Sequence, residues 1–204
     1  MKKLILCLSL LLCSSLLFGQ KFGKAEGYAS YEEMKNGTPS FVFDLRLREN
    51  TKINKLLRGG IINYRIDRID PEKDRTKVEV GVWALGIYGK QYINAYRYSQ
   101  VEGFNEIIET GYYSYFVGDP PRDRDIQIEM GLTPPGVNRA RKDLEAQPYV
   151  IMPDGEVRVL RPEMLLPLCG DNEAIVEKLK TMNIRADDFP GMFAVLKEYN
   201  EAKK

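Results

Sequence analysis

The chain has 204 residues, with 30 Lys and Arg against 29 Asp and Glu, three cysteines and no histidine. The missing imidazole takes away the proton carrier of Ser-His-Asp and Cys-His catalysis and the usual ligand of catalytic zinc, and no cofactor is expected. Charges of both signs are mixed along the chain; with no basic stripe to neutralise phosphates, nucleic-acid binding is not expected.

Lys2 and Lys3 start the chain, Leu4 to Leu12 form an apolar run, and Ser14, Ser15 and Gly19 precede Gln20. That order predicts a signal peptide over residues 1–19 with cleavage after Gly19, hence an exported protein, periplasmic or secreted. A buried N-terminal helix and a lipoprotein built on Cys7 or Cys13 are the alternatives. The bulky residues before both cysteines argue against the second. The apolar run is too short to span a bilayer, so no transmembrane segment is expected after cleavage. Cleavage removes two lysines and no acid, which moves the net charge from +1 to about −1. It also leaves Cys169 alone, so no intramolecular disulfide is available, and a buried thiol is expected.

Residues 20–204 are expected to form one domain. The segment 21–30 is short of large apolar residues and is expected to lie loosely on the surface. Tyr31 to Met34 predicts one helical turn, ended by Asn36-Gly37. Asn36-Gly37-Thr38 also fits a glycosylation sequon, but the turn suits a bacterial-type leader better. Phe41, Phe43, Leu45 and Leu47 alternate with Val42, Asp44 and Arg46, the period of a half-buried strand. Ile62, Tyr64 and Ile66 predict a second strand and Pro71 to Asp74 a turn. Val78, Val80 and Val82 alternate again, with Trp83 to Ile87 continuing the strand. Tyr88-Gly89-Lys90 marks a hairpin tip, and Tyr92 to Tyr98 is the expected return strand. Phe104 to Ile108 and Gly111 to Val117 predict two more.

From about 119 to 146 the pattern fades into a charged, Pro- and Gly-rich stretch, expected to be a long excursion from the sheet with a short helix at Asn138 to Ala146. Pro153-Asp154-Gly155 joins Tyr149 to Met152 and Glu156 to Leu160 as a hairpin. The period then becomes helical. Pro162 opens one helix, stopped by Gly170; Asp171 is expected to cap the next; Pro190 opens the last, with Phe193, Leu196 and Tyr199 inward. Strands first and helices last predict an α+β fold: a curved antiparallel sheet, a roll or partial barrel, with C-terminal helices packed on the face carrying Phe43, Leu45, Val80 and Trp83.

No phosphate-binding loop is present, since Gly59-Gly60 lacks the lysine and helix that must follow. Asp119, Asp123 and Asp125 have the oxygen chemistry of a hard-cation loop, but Arg122 and Arg124 lie between them and oppose it, so no metal site is expected. Glu106, Glu109 and Asp119 are candidate carboxylates for a glycoside hydrolase. Tyr92, Tyr96 and Tyr98, with Tyr113 and Tyr115, form tyrosine-rich strands. Such strands either display an aromatic surface for a protein or glycan partner or simply cover a sheet face. The expectation is a non-enzymatic binding protein, with the carboxylate hydrolase as alternative.

Several pieces carry a resemblance: Tyr31-Glu32-Glu33-Met34-Lys35-Asn36-Gly37-Thr38-Pro39-Ser40, Val82-Trp83-Ala84-Leu85-Gly86, Tyr92-Ile93-Asn94, Gly111-Tyr112-Tyr113-Ser114-Tyr115-Phe116, Tyr149 to Leu160, and Glu198-Tyr199-Asn200-Glu201. In this order they are similar to a family of small exported Bacteroidota proteins of unknown function. The resemblance implies an envelope or secreted location and carries over no catalytic residue. It has no counterpart for residues 119–146.

Overall fold

A computed structural model describes residues 22–49, 63–119 and 146–204. The leader, Gly59-Gly60, Ile62, Arg122 to Asp125 and the helix expected from Asn138 lie outside the described residues, apart from Ala146. In chain order the elements are β1 (Gly23–Tyr28), α1 (Tyr31–Asn36), β2 (Phe41–Glu49), β3 (Asn63–Asp70), β4 (Ala84–Ile87), β5 (Lys90–Asn94), α2 (Tyr96–Ser99), β6 (Phe104–Glu109), β7 (Ser114–Gly118), β8 (Gln147–Ile151), β9 (Val157–Val159), α3 (Pro162–Cys169), α4 (Glu173–Thr181) and α5 (Phe189–Ala202).

The α+β class is as expected, and the sheet goes further than curvature. Strands run β3-β2-β1-β4-β5-β6, and β6 pairs back to β3 through Asn63 opposite Asn105 and Tyr64 opposite Phe104. This closes a six-stranded antiparallel barrel, which removes the free edges an open sheet would present. Phe43, Leu45 and Leu47 point inside at period two. Ile66 and Ile69 also point inside although they are three apart, because the β2–β3 register shifts between Arg46 and Leu47 and sets Leu45 opposite Ile69 and Leu47 opposite Ile66. The extra residue is a β-bulge.

Three expectations fail here, each for a packing reason. Residues 23–28 are no loose surface segment but the strand between β2 and β4. Their inward side is Gly23, Ala25 and Gly27, and a Cβ on Gly27 would stand 2.8 Å from the Phe43 ring. Close packing demands small residues, so the strand carries no apolar signal. Val78, Val80 and Val82 form no strand: Lys77–Gly81 is a π-helical turn. Val78 and Val82 both enter the barrel core, while Val80 is exposed. The turn leaves spare carbonyls. Arg97 donates to those of Val80 and Gly81 at 3.0 and 2.7 Å, and the Asn94 amide donates to those of Glu79 and Val82 at 2.9 Å each. The strand from Tyr92 ends at Asn94, whose Oδ1 accepts from Tyr96 N–H at 3.0 Å and turns the chain into α2.

Beyond the barrel the sheet continues β6-β7-β8-β9. Both faces of this extension are buried. Phe116, Tyr149 and Ile151 pack toward the barrel with Tyr28, Ala84 and Ile93 of its outer wall and Tyr31 and Met34 of α1. Tyr113, Tyr115 and Val150 point the other way, against α3 to α5. The C-terminal helices therefore sit on the side sheet and not on the face of Phe43, Leu45, Val80 and Trp83. Phe193 stacks on Tyr115 at 4.7 Å and 15°. Trp83 packs on Tyr31 instead, with ring centroids 5.3 Å apart.

Helix ends follow the sequence signals with one correction. Ser30 caps α1 by accepting from Glu33 N–H, and Gly37 closes it with φ 63°. Asn172, not Asp171, caps α4 by accepting from Ile175 N–H at 3.2 Å. Asp171 instead accepts from the Tyr199 hydroxyl at 2.7 Å and from Lys203 at 2.5 Å. Cys169 is fully buried as expected, and burial pushes its thiol up to about 11. Among the described residues no helix is long and apolar enough to cross a membrane.

Candidate functional site

The outer wall of the barrel carries two neighbouring cross-strand rows. The first runs Tyr28, Ala84, Ile93, Asn105, Asn63, and each residue is buried. Two residues further along the same strands, the second runs Val42, Glu26, Gly86, Gln91. This row is bare: Val42 is 63% exposed. Gly86 has no side chain of its own, and Glu26 and the Tyr28 ring lean over it: a Cβ there would stand 3.3 Å from Glu26 Oε2 and from the Tyr28 hydroxyl. The row is part of an open trough of about 480 Å³, bordered by Lys24 and by the β4–β5 hairpin tip. A second depression of about 430 Å³ shares Gly89, Lys90 and Gln91 with it and reaches β6.

Local chemistry sets what the trough offers. The Tyr28 hydroxyl donates to Glu26 Oε2 at 2.6 Å. Burial, and then that carboxylate, push its pKa up to about 12, so it stays a donor. Lys90 pairs with Glu106 at 2.7 Å. The Gln91 carboxamide oxygen is buried and has no hydrogen-bond partner. Ile87 lies opposite Lys90, which makes Tyr88-Gly89 a two-residue turn with φ of 56° and 74°. Positive φ at both positions is the type I′ geometry, which favours Asn or Gly where Tyr88 stands. The Tyr88 ring lies on Gly23, where a Cβ would be 2.7 Å away, and the residue is 47% exposed.

The five tyrosines singled out from the sequence are spread over separate layers. Tyr92 fills the barrel, its ring 5.0 Å from that of Tyr64. Tyr96 opens α2 and is exposed. Tyr98 packs on Tyr149 at 4.6 Å and donates to Asn105 Oδ1 at 2.5 Å; burial and the nearby Asp119 raise its pKa well above the usual value. Tyr113 and Tyr115 face the helices, with hydroxyls donating to the Leu168 carbonyl at 3.0 Å and to Glu109 at 2.8 Å. They form no common aromatic surface: Tyr96 is exposed, Tyr92 fills the barrel, and the rings of Tyr98, Tyr113 and Tyr115 fill other cores while their hydroxyls reach polar partners. Of the candidate carboxylates, Glu106 and Glu109 border the second depression. Asp119 is apart and buried, accepting from the Asn63 amide at 3.2 Å, while its carbonyl accepts from the Tyr149 hydroxyl at 2.5 Å. No group of three or more potential metal ligands occurs among the described residues.

Sequence reasoning missed the trough, because its row joins residues 26, 42, 86 and 91 from four strands. The usable signal was Lys24-x-Glu26-x-Tyr28 alternating with Gly23, Ala25 and Gly27.

A closed six-stranded barrel, a side sheet and a helical layer, with a polar trough on the uncovered wall, define a small α+β barrel protein. The chain belongs to the family of unknown function DUF6563, which it matches over residues 26–203, from β1 of the barrel through the last helix. No curated protein and no solved structure matches it.

Proposed function

We propose that this is an exported, non-catalytic binding protein that holds its partner in the trough on the outer wall of the barrel. Export rests on the basic start and the apolar run at Leu4 to Leu12. The observation that carries the binding reading is the bare row Val42, Glu26, Gly86, Gln91. It lies beside a row that the side sheet buries, and it forms part of an open trough bordered by Lys24, Glu26 and Gln91. The Tyr28 hydroxyl is held protonated and Glu26 is engaged by it, an arrangement suited to hydrogen bonding rather than proton transfer.

The test is co-purification from the native envelope with the mature protein and two variants. Lys24→Glu reverses a charge at the border of the trough, and Val42→Arg places a charge at the end of the row, both without touching the core. Partner recovered by the wild type and lost by both variants supports the reading. Equal recovery by all three refutes it. Turnover of a glycosidase substrate that vanishes on mutating Glu106 or Glu109 would favour the hydrolase instead.

A further inference from the structure

We infer that the outer face of the β2–β3 ribbon binds a phosphomonoester group, gripped by Arg48, Arg65 and Arg68; this does not rest on the trough. The strand register carries the inference. Arg48 stands opposite Arg65 and Arg46 opposite Arg68, on the face turned away from the barrel core that Leu45, Leu47, Ile66 and Ile69 fill. In the sequence these arginines are interleaved with acids, and pairing the strands gathers them. Like charges directly opposite each other cost stability. Two such pairs in succession are not what the ribbon needs to hold itself together, and local violations of this kind collect at functional sites.

Only one of the four arginines is fully engaged. Asp67, the unpaired residue of the bulge, accepts from Arg46 Nε at 2.6 Å and also pairs with Arg46 Nη2. Arg48 reaches the other oxygen of Asp67 only at 3.8 Å and is 73% exposed. Arg65 stays 3.8 Å from Glu102, and its buried Nε–H has no acceptor. Arg68 is exposed and makes no ion pair among the described residues; its guanidinium lies 5.6 Å from the centre of the Phe22 ring. Four guanidiniums against Asp67 and Glu102 leave a surplus of two positive charges.

That surplus and its compactness select the ligand. Facing residues of a ribbon are about 5 Å apart and successive pairs on one face about 7 Å apart, so three arginine forks can close on one small anion. A phosphomonoester is close to a dianion at neutral pH and offers three terminal oxygens, one for each fork. A carboxylate carries one charge and is satisfied by a single arginine. A nucleic acid needs positive charge repeated along its length. Here Asp44 and Asp70, opposite each other, end the patch after two pairs.

The experiment titrates the mature protein by calorimetry at low ionic strength with glycerol phosphate, a soluble phosphomonoester, and with acetate as the carboxylate control. Cosedimentation with phosphatidylcholine vesicles, plain or carrying phosphatidic acid, shows whether the group is taken from a lipid. The variants are Arg48→Gln, Arg68→Gln, Arg68→Lys, which keeps the charge and removes the fork, and exposed Lys197→Gln as a charge-matched control. The expected result is binding of glycerol phosphate, of the phosphatidic acid vesicles or of both, and none of acetate. Affinity should fall about tenfold or more in Arg48→Gln and Arg68→Gln, fall less in Arg68→Lys and hold in Lys197→Gln. Both glutamine variants should melt at or above the wild-type temperature, because each relieves a like-charge pair. Binding of neither phosphomonoester, acetate bound as tightly as phosphate, or equal losses in Lys197→Gln overturns the inference. So does a large drop in melting temperature in both glutamine variants, which would make the arginines structural.

Discussion

The two rows on the outer wall of the barrel share strands β1, β4 and β5 and lie only two residues apart, yet they differ in everything else. The covered row places Tyr28, Ala84 and Ile93 beneath Phe116, Tyr149 and Ile151 of the side sheet. Its polar members Asn105 and Asn63 are tied to the Tyr98 hydroxyl and to Asp119. The bare row has a glycine at its centre, a carboxylate on one side and an amide on the other. The side sheet thus divides one wall into a part that it covers and a part that it leaves open. The polarity of each row reports what covers it.

The comparison is broken most directly from the covered side. Tyr149 stacks on Phe116 at 5.1 Å and 10° and anchors Asp119. Tyr149→Ala should cost roughly 3–5 kcal/mol, a large share of a typical domain's stability. Denaturant titration should show Val42→Arg, on the bare row, within about 0.5 kcal/mol of wild type. Similar losses for the two would end the distinction. Phe193→Ala should cost about 3 kcal/mol or more through loss of the stack on Tyr115, whereas exposed Lys197→Ala should cost little.

A smaller effect tests the inner face of the same wall. Gly27→Ala pushes a methyl toward the Phe43 ring and should destabilise by about 1–3 kcal/mol, read from the denaturation midpoint.

Alkaline titration sharpens the picture further. Tyr28, Tyr64 and Tyr113 are each pushed from 10.0 up to about 12, chiefly by burial. A raised pKa means that the folded state holds the proton more tightly than the unfolded state. The contribution is complete below pH 10 and is lost as pH rises toward 12. Stability should therefore stay level to about pH 10 and then fall, with the tyrosinate absorbance of the folded protein lagging behind that of the unfolded chain.

The smallest change is expected at the C-terminal end. Lys203 and the Tyr199 hydroxyl hold the Asp171 carboxyl below its usual range. That contribution is present above the unfolded pKa and fades as pH falls through the folded one. The pair is exposed, so Asp171→Asn should barely move the melting temperature at neutral pH and should flatten its decline in acid.

The parts of the fold legible in the sequence are those where one face is apolar and the other polar. The spacing of Phe193, Leu196 and Tyr199, the turn at Asp154-Gly155 and the alternation from Phe41 to Leu47 all carried into α5, the β8–β9 hairpin and β2. The misses have physical causes. In β1 the inward positions must be small, so the strand has almost no hydrophobic signature. At Val78 and Val82 a wide helical turn returns to the same side after four residues, and the intervening Val80 made it resemble a strand. The β3–β6 pairing that closes the barrel leaves no mark, because Asn63 and Asn105 are polar residues whose burial depends on the side sheet above them. The trough was hidden for a related reason. Its row exists only once four strands are in register.

Site-specific photo-crosslinking in the native envelope tests the central claim most directly. One photoreactive residue replaces Val42, at the end of the bare row, and another replaces Val80, also an exposed valine but on the π-helical turn outside the trough. The account predicts a discrete adduct from position 42 and none from position 80. Adducts from position 80 alone, or equal adducts from both, would contradict it.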